Sequence, residues 1–142
     1  MANALYTTGR TAFAAAGINW TSDTIQCCLV DSSLYTANLS TDQYLSTISG
    51  ISGAILANSR TTLTSATNSG GKCSAANTVC GSSNISSTTG HNIVIVIYKN
   101  TGSDSSSQLI AYLDTGTGLP ASNLSSATVT IDWDPTNGIF TL

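Results

Sequence analysis

Two stretches in the second half of the chain, Ile93-Val94-Ile95-Val96-Ile97-Tyr98 and Leu109-Ile110-Ala111-Tyr112-Leu113, are apolar at every position. Successive side chains of a strand point to opposite faces, so a run without polar alternation predicts a strand covered on both sides. Asn100–Ser106 between them is polar and contains Gly102, which predicts that the two pair as an antiparallel hairpin in the middle of a sheet. A chain of 142 residues suffices for one domain, 1–142, that hides about 70% of the surface its unfolded form would expose.

The other elements are read around that hairpin. Leu5, Gly9, Ala12, Phe13 and Ala16 share one face at spacings of three and four, predicting a helix over Ala2–Ala16 that Gly17 ends. Thr24–Asp31 reads as an apolar strand after the turn Thr21-Ser22-Asp23, with Trp20 anchoring the junction in the core. Ser32–Asn38 reads as a loop, Ser40–Leu45 as a short helical turn capped by Ser40 or Thr41, and Ala54–Ser65 as a strand. Thr67–Gly90, rich in Asn, Ser, Gly and Thr, is expected to be a polar, exposed excursion with a short strand at Thr78–Cys80.

The C-terminal part differs in pattern. In Thr128–Trp133 the apolar Val129, Ile131 and Trp133 alternate with Thr128, Thr130 and Asp132, so one face of this strand is expected to be wet. Asp134-Pro135-Thr136-Asn137-Gly138 is a turn by its chemistry, and Ile139–Leu142 closes the chain as a strand. Six or seven strands, one helix and no helix–strand alternation predict a mainly β fold, an antiparallel β-sandwich-like domain with an N-terminal α-helix.

Nearly a third of the residues are Ser or Thr, 8% are charged, there is no Glu, and His91 is the single histidine. Groups that could move protons at neutral pH are therefore scarce, and the chain is not expected to be an enzyme or to need a cofactor. The net charge of −3 and the scattered Arg10, Arg60, Lys72 and Lys99 supply no cationic face for nucleic acid. No apolar run is long enough to cross a membrane, and Met1–Ala16 lacks the basic start and apolar block of a leader. The expectation is a soluble protein made in the cytoplasm.

Each chemistry-bearing residue has a plain structural reading beside the functional one. Cys27 and Cys28 lie inside an apolar strand, where thiols serve as small buried hydrophobes. Cys73 and Cys80 bracket a polar stretch of a length that a disulfide could close into a loop; in a reducing cytosol they would remain thiols. No Cys-x-x-Cys spacing supports zinc. Asp132 and Asp134 share a strand face, a spacing suited to a hard cation or a shared proton, but both also fit strand-end and turn positions. His91 reads as a polar residue at a loop end, and Gly116-Thr117-Gly118 as turn glycines rather than a phosphate cradle. Four Asn-x-Ser/Thr triplets, at Asn19, Asn38, Asn84 and Asn123, are what a Ser/Thr-rich chain contains by chance.

Several segments, taken in order, resemble one family. Ala2–Phe13, Ile18–Ile25 with Leu29-Val30-Asp31, Val96–Gly102, Leu109–Thr115, Gly118-Leu119-Pro120 and the ending from Trp133 to Phe140 are similar to small virion-associated proteins of tailed bacteriophages. The resemblance covers the first third of the chain and its last 50 or so residues, and Thr67–Gly90 departs from it. It implies a structural protein of the particle, a head decoration or cement protein on the capsid surface. Its partners would be the major capsid protein and copies of itself in a symmetric homo-oligomer, with no nucleic acid and no membrane. The resemblance carries no catalytic residues. The alternative is a receptor- or glycan-binding appendage, or a neck or tail accessory protein, for which Trp20, Tyr35 and Tyr44 are the candidate sugar-stacking aromatics. A hydrolase built on Asp132, Asp134 or His91 is the third class.

Overall fold

The structure, a computed structural model, describes residues 3–142. Its centre is a five-stranded antiparallel sheet of β1 (Ala4–Leu5), β2 (Ile25–Asp31), β3 (Thr61–Thr62), β7 (Ile93–Lys99) and β8 (Leu109–Leu113), ordered β1-β8-β7-β2-β3. β7 and β8 form the expected hairpin and are buried on both faces, apart from Lys99 at the end of β7. Both edge strands are two residues long, which leaves little unpaired backbone for a stray strand to join.

Alternation along these strands divides the interior into two cores. Ile25, Cys27, Leu29, Ile93, Ile95, Ile97 and Leu113 face one, while Cys28, Val30, Val94, Val96, Tyr98 and Tyr112 face the other. The register between β7 and β8 shifts after Ile97, which pairs with Ala111, so that Tyr98 pairs with Leu109 and Ile110 is the extra residue of a bulge. The bulge puts Ile110 and Ala111 into the same core instead of opposite ones.

The first core is roofed by two small antiparallel sheets. One has β6 (Thr78–Ile85) beside β9 (Ala127–Ile131); the other has β5 (Lys72–Ser74) between β4 (Thr67–Ser69) and β10 (Phe140–Thr141). Thr67–Gly90 is thus not an exposed excursion. It contributes three strands, and Cys73, Thr78, Cys80 and Ile85 are buried. Its polar composition conceals the reason: the buried positions are few and separated by exposed or half-buried residues, most of them polar or glycine. The second core is covered by Tyr35 to Ala54, including the one-turn helix α2 (Ser46–Ser49) with Leu45 and Ile48 pointing inward.

The N-terminal helix α1 runs over Thr7–Ala14, shorter than the spacing predicts. Ala4 and Leu5 pair with Tyr112 and Ala111 as an edge strand, and Tyr6 is buried with its amide on the Ile110 carbonyl at 2.9 Å. Backbone pairing to the sheet edge therefore outweighs the local helical pattern; Ala2, the expected start, lies outside the described residues. The helix ends through Ala16 at φ 59°, one residue before Gly17, whose amide caps the Ala12 carbonyl at 2.7 Å. The turn expected at Ser40 forms as an Asp42-bound loop, and helix appears only at Ser46. Ala54–Ser65 carries one isolated bridge, Ile55 to Val30, and the two residues of β3 rather than a continuous strand.

The C-terminal pattern is realised as read. Burial alternates along β9, and Asp132 is exposed beside buried Trp133. In the following turn the Asp134 carboxylate accepts the Thr136 and Asn137 amides at 2.7 and 2.9 Å, and Gly138 takes φ 73°. Trp20 is 3% exposed, donates its indole N–H to the Ser74 carbonyl at 2.9 Å, and meets Phe140 edge-on at 5.1 Å.

Candidate functional site

The roof over the first core does not close completely. A cleft of about 730 Å³ lies between the central sheet, represented by Ile93, Ile95 and Leu113, and the segment carrying Val129, Ile131 and Trp133, with Leu119 and Leu124 also lining it. β9 borders this cleft and has a single strand neighbour, β6. The lining mixes aliphatic side chains with threonines and glycines, and Asp132 and Asp134 are also on its walls. Asp134 is committed to its turn, and the backbone and side-chain N–H groups of Asn137, with the Thr136 amide, hold its carboxyl below the usual range. The two carboxylates expected to share a face are thus in one cleft, but one of them already has its donors.

His91 is part of a hydrogen-bonded pair that the sequence does not reveal. Its Nδ1 stands 2.7 Å from Oδ2 of Asp31, a buried residue at the end of β2, and the other Asp31 oxygen accepts the Ser33 amide at 2.9 Å. The neighbouring hydroxyls turn elsewhere: Ser32 Oγ donates to the Asn92 carbonyl at 3.0 Å, and Ser33 Oγ accepts the Asn92 amide at 3.4 Å. These bonds tie the loop after β2 to the residues before β7. They orient no nucleophile toward the imidazole, as a triad would require.

A second network joins α1 to the covering loop. Tyr35 donates to Asp42 Oδ2 at 2.6 Å, its hydroxyl lies 3.0 Å from that of Tyr6, and the Asn38 amide binds the same Asp42 oxygen at 2.8 Å. Burial is the main reason both phenols are pushed well above their ordinary value, with the bond to Asp42 acting the same way on Tyr35. Arg60, the residue before β3, and Asp104 form a two-pronged pair at 2.7 and 2.9 Å that reaches the loop before β8. The guanidinium holds the Asp104 carboxyl below its usual range.

The aromatics on which a sugar could stack are not presented for it. Trp20 and Tyr35 are 3% and 2% exposed, and half-buried Tyr44 accepts a hydrogen bond from Gln43 Nε2 at 3.1 Å. The four cysteines are buried free thiols. Cys28 is in the second core, Cys73 accepts from Asn68 Nδ2 at 3.6 Å, and Cys80 has its sulfur 4.0 Å from that of Cys27. Cys73 and Cys80 are not joined, and the sulfur facing Cys80 belongs to a different strand from the one expected. The Cys80 thiol is held below its ordinary value by the hydrogen bond from Cys27, which is itself pushed well above by that bond and by burial. Among the described residues no three His, Cys, Asp or Glu side chains stand together as a metal site.

No family model, curated protein or solved structure matches this chain.

Proposed function

We propose that the chain is a structural protein of a tailed-phage particle, acting as a decoration or cement protein on the head. The observation that supports this reading best is the character of the surface. Arg60 pairs with Asp104 and Lys99 with Asp23 at 3.0 Å, buried Asp31 is bonded to His91, and the exposed residues are dominated by Ser, Thr and Asn. A face of neutral hydroxyls and amides packs against another protein without stripping water from unpaired charges, so repeated contacts of about 1,000 Å² or more cost little in desolvation. Partners on this reading are the major capsid protein and further copies of the chain, arranged about a symmetry axis.

The segments that resemble virion proteins fit this role. They include the N-terminal strand and helix, parts of β2 and β7, β8, and, in the roof, the stretch from Trp133 to Phe140 that leads into β10. Reinforcement by such a protein is added contact area, not chemistry. The test is to mix the purified chain with expanded heads of the phage whose genome encodes it, lacking their own copies. Binding at a fixed ratio and a higher temperature of DNA release are expected. Heads that neither bind the chain nor change their release temperature reject the cement role, and lost adsorption to cells on deletion would select the host-binding appendage.

A further inference from the structure

We infer that Cys27 and Cys80 form a redox-sensitive cross-link site, at which hydrogen peroxide joins the central sheet to its roof through a disulfide. Cys27 is on β2 and Cys80 on β6, 53 residues apart in sequence, with their sulfurs 4.0 Å apart inside the first core. A disulfide needs the sulfurs at about 2.05 Å, so each has to travel about 1 Å, within reach of a small side-chain rotation.

The other pairings are less well placed. Cys28 follows Cys27 on the same strand and therefore faces the opposite core, and Cys73 is held against Asn68. Both cysteines are fully buried, and a hollow of about 480 Å³ lies against the residues that neighbour them. Its lining includes Val79 and Gly81, which flank Cys80 in the chain, and Thr61, which is paired with Cys27 between β3 and β2.

The step balances with peroxide as the only co-reactant. The Cys80 thiolate attacks one peroxide oxygen, the O–O bond breaks, and the departing hydroxide takes a proton to leave as water, giving a sulfenic acid on Cys80. The Cys27 sulfur then attacks that sulfur, losing its proton as the S–S bond forms, and the sulfenic oxygen departs as a second water. Two thiols and one peroxide become one disulfide and two waters. The bond cross-links residues distant in sequence and so restrains the unfolded chain more than the folded one.

The experiment treats the folded, purified chain with hydrogen peroxide, blocks free thiols and digests it without reduction. Trypsin leaves Cys27 and Cys28 in peptide 11–60 and Cys73 and Cys80 in peptide 73–99. The inference expects these two peptides linked to one another, fragment ions placing the bond at Cys27 and Cys80, and a melting temperature that rises on oxidation and falls back with dithiothreitol. The link should persist in Cys73→Ala and vanish in Cys80→Ala. A loop closed within peptide 73–99, a bond through Cys28, or four blocked thiols after treatment would each overturn it, as would a link that forms only in urea.

Discussion

Gly9 of α1 lies directly on the Leu109 carbonyl of β8: a Cβ at Gly9 would stand 2.5 Å from that oxygen and 3.1 Å from the Ile110 Cα. At this point the helix is seated on backbone, and only glycine allows the approach. In a free helix Gly9→Ala would be favourable by about 1 kcal/mol. Here the neighbour is backbone and cannot rotate away, so the helix has to lift. The expected result is a loss of about 1–3 kcal/mol, seen as a melting temperature lower by about 4–12 °C. A melting temperature at or above that of the parent would mean that the contact is soft.

Thr78 and Trp133 make a second contact on which the roof depends. The buried indole N–H donates to Thr78 Oγ1 at 3.0 Å, and the Trp133 amide binds the Asn77 side chain at 3.1 Å. Thr78→Val keeps the shape of the side chain but leaves the indole N–H without its acceptor, which costs about 1–3 kcal/mol. Adding Trp133→Phe removes the stranded donor, so the double variant should lose less than the sum of the singles in urea unfolding. Strict additivity would show that the bond contributes nothing.

How much of this was legible in the sequence depended on how local the deciding forces are. The β7–β8 hairpin could be read because every position is apolar, and the 134–138 turn because Asp, Pro and Asn-Gly each set a local backbone preference. The start of α1 was misread because a non-local partner, β8, competes for Ala4 and Leu5. Burial of Cys73 and Cys80 is hidden in a Ser- and Asn-rich stretch where only a few scattered residues face the core. The site contacts were less legible still. Asp31 and His91 are 60 residues apart, and Asp42 reaches Tyr35 through a loop closure that no spacing rule anticipates. Tyr35 and Trp20 are withheld from a sugar for the same reason, since each is anchored by a partner far away or across a loop.

Acid should weaken the fold through its paired carboxylates. Asp104 is held below its ordinary value near 3.8 chiefly by Arg60. Asp23 is lowered too, its burial being overcome by the Asn19 amide and Lys99. A carboxyl whose folded value is depressed gives stability that is full above the unfolded value and fades as pH falls below about 4 through the folded one. The Arg60–Asp104 pair is half open to solvent, with side chains 41% and 32% exposed, so its share is below about 1 kcal/mol. Asp104→Asn should therefore lower the melting temperature slightly at pH 7 and leave it unchanged at pH 2. An equal loss at both pH values would assign the effect to packing rather than charge.

The last expectation concerns where the particle is gripped. Among the described residues three large apolar side chains are exposed, Leu34 at 42%, Val79 at 52% and Leu142 at 48%. Water-exposed leucines and valines on an otherwise hydroxyl-rich surface add little to the fold, and replacing them should move stability by no more than about 0.5 kcal/mol each. At an interface the same side chains would be buried, and an aspartate in their place would be buried without a partner. On the proposed cement role, the combined variant Leu34→Asp, Val79→Asp and Leu142→Asp should melt like the parent yet bind expanded heads at least about tenfold more weakly, the 1.4 kcal/mol that one lost apolar anchor supplies. Unchanged binding by a folded variant would move the contact to the neutral Ser and Thr faces, and would leave these three side chains as ordinary exposed residues.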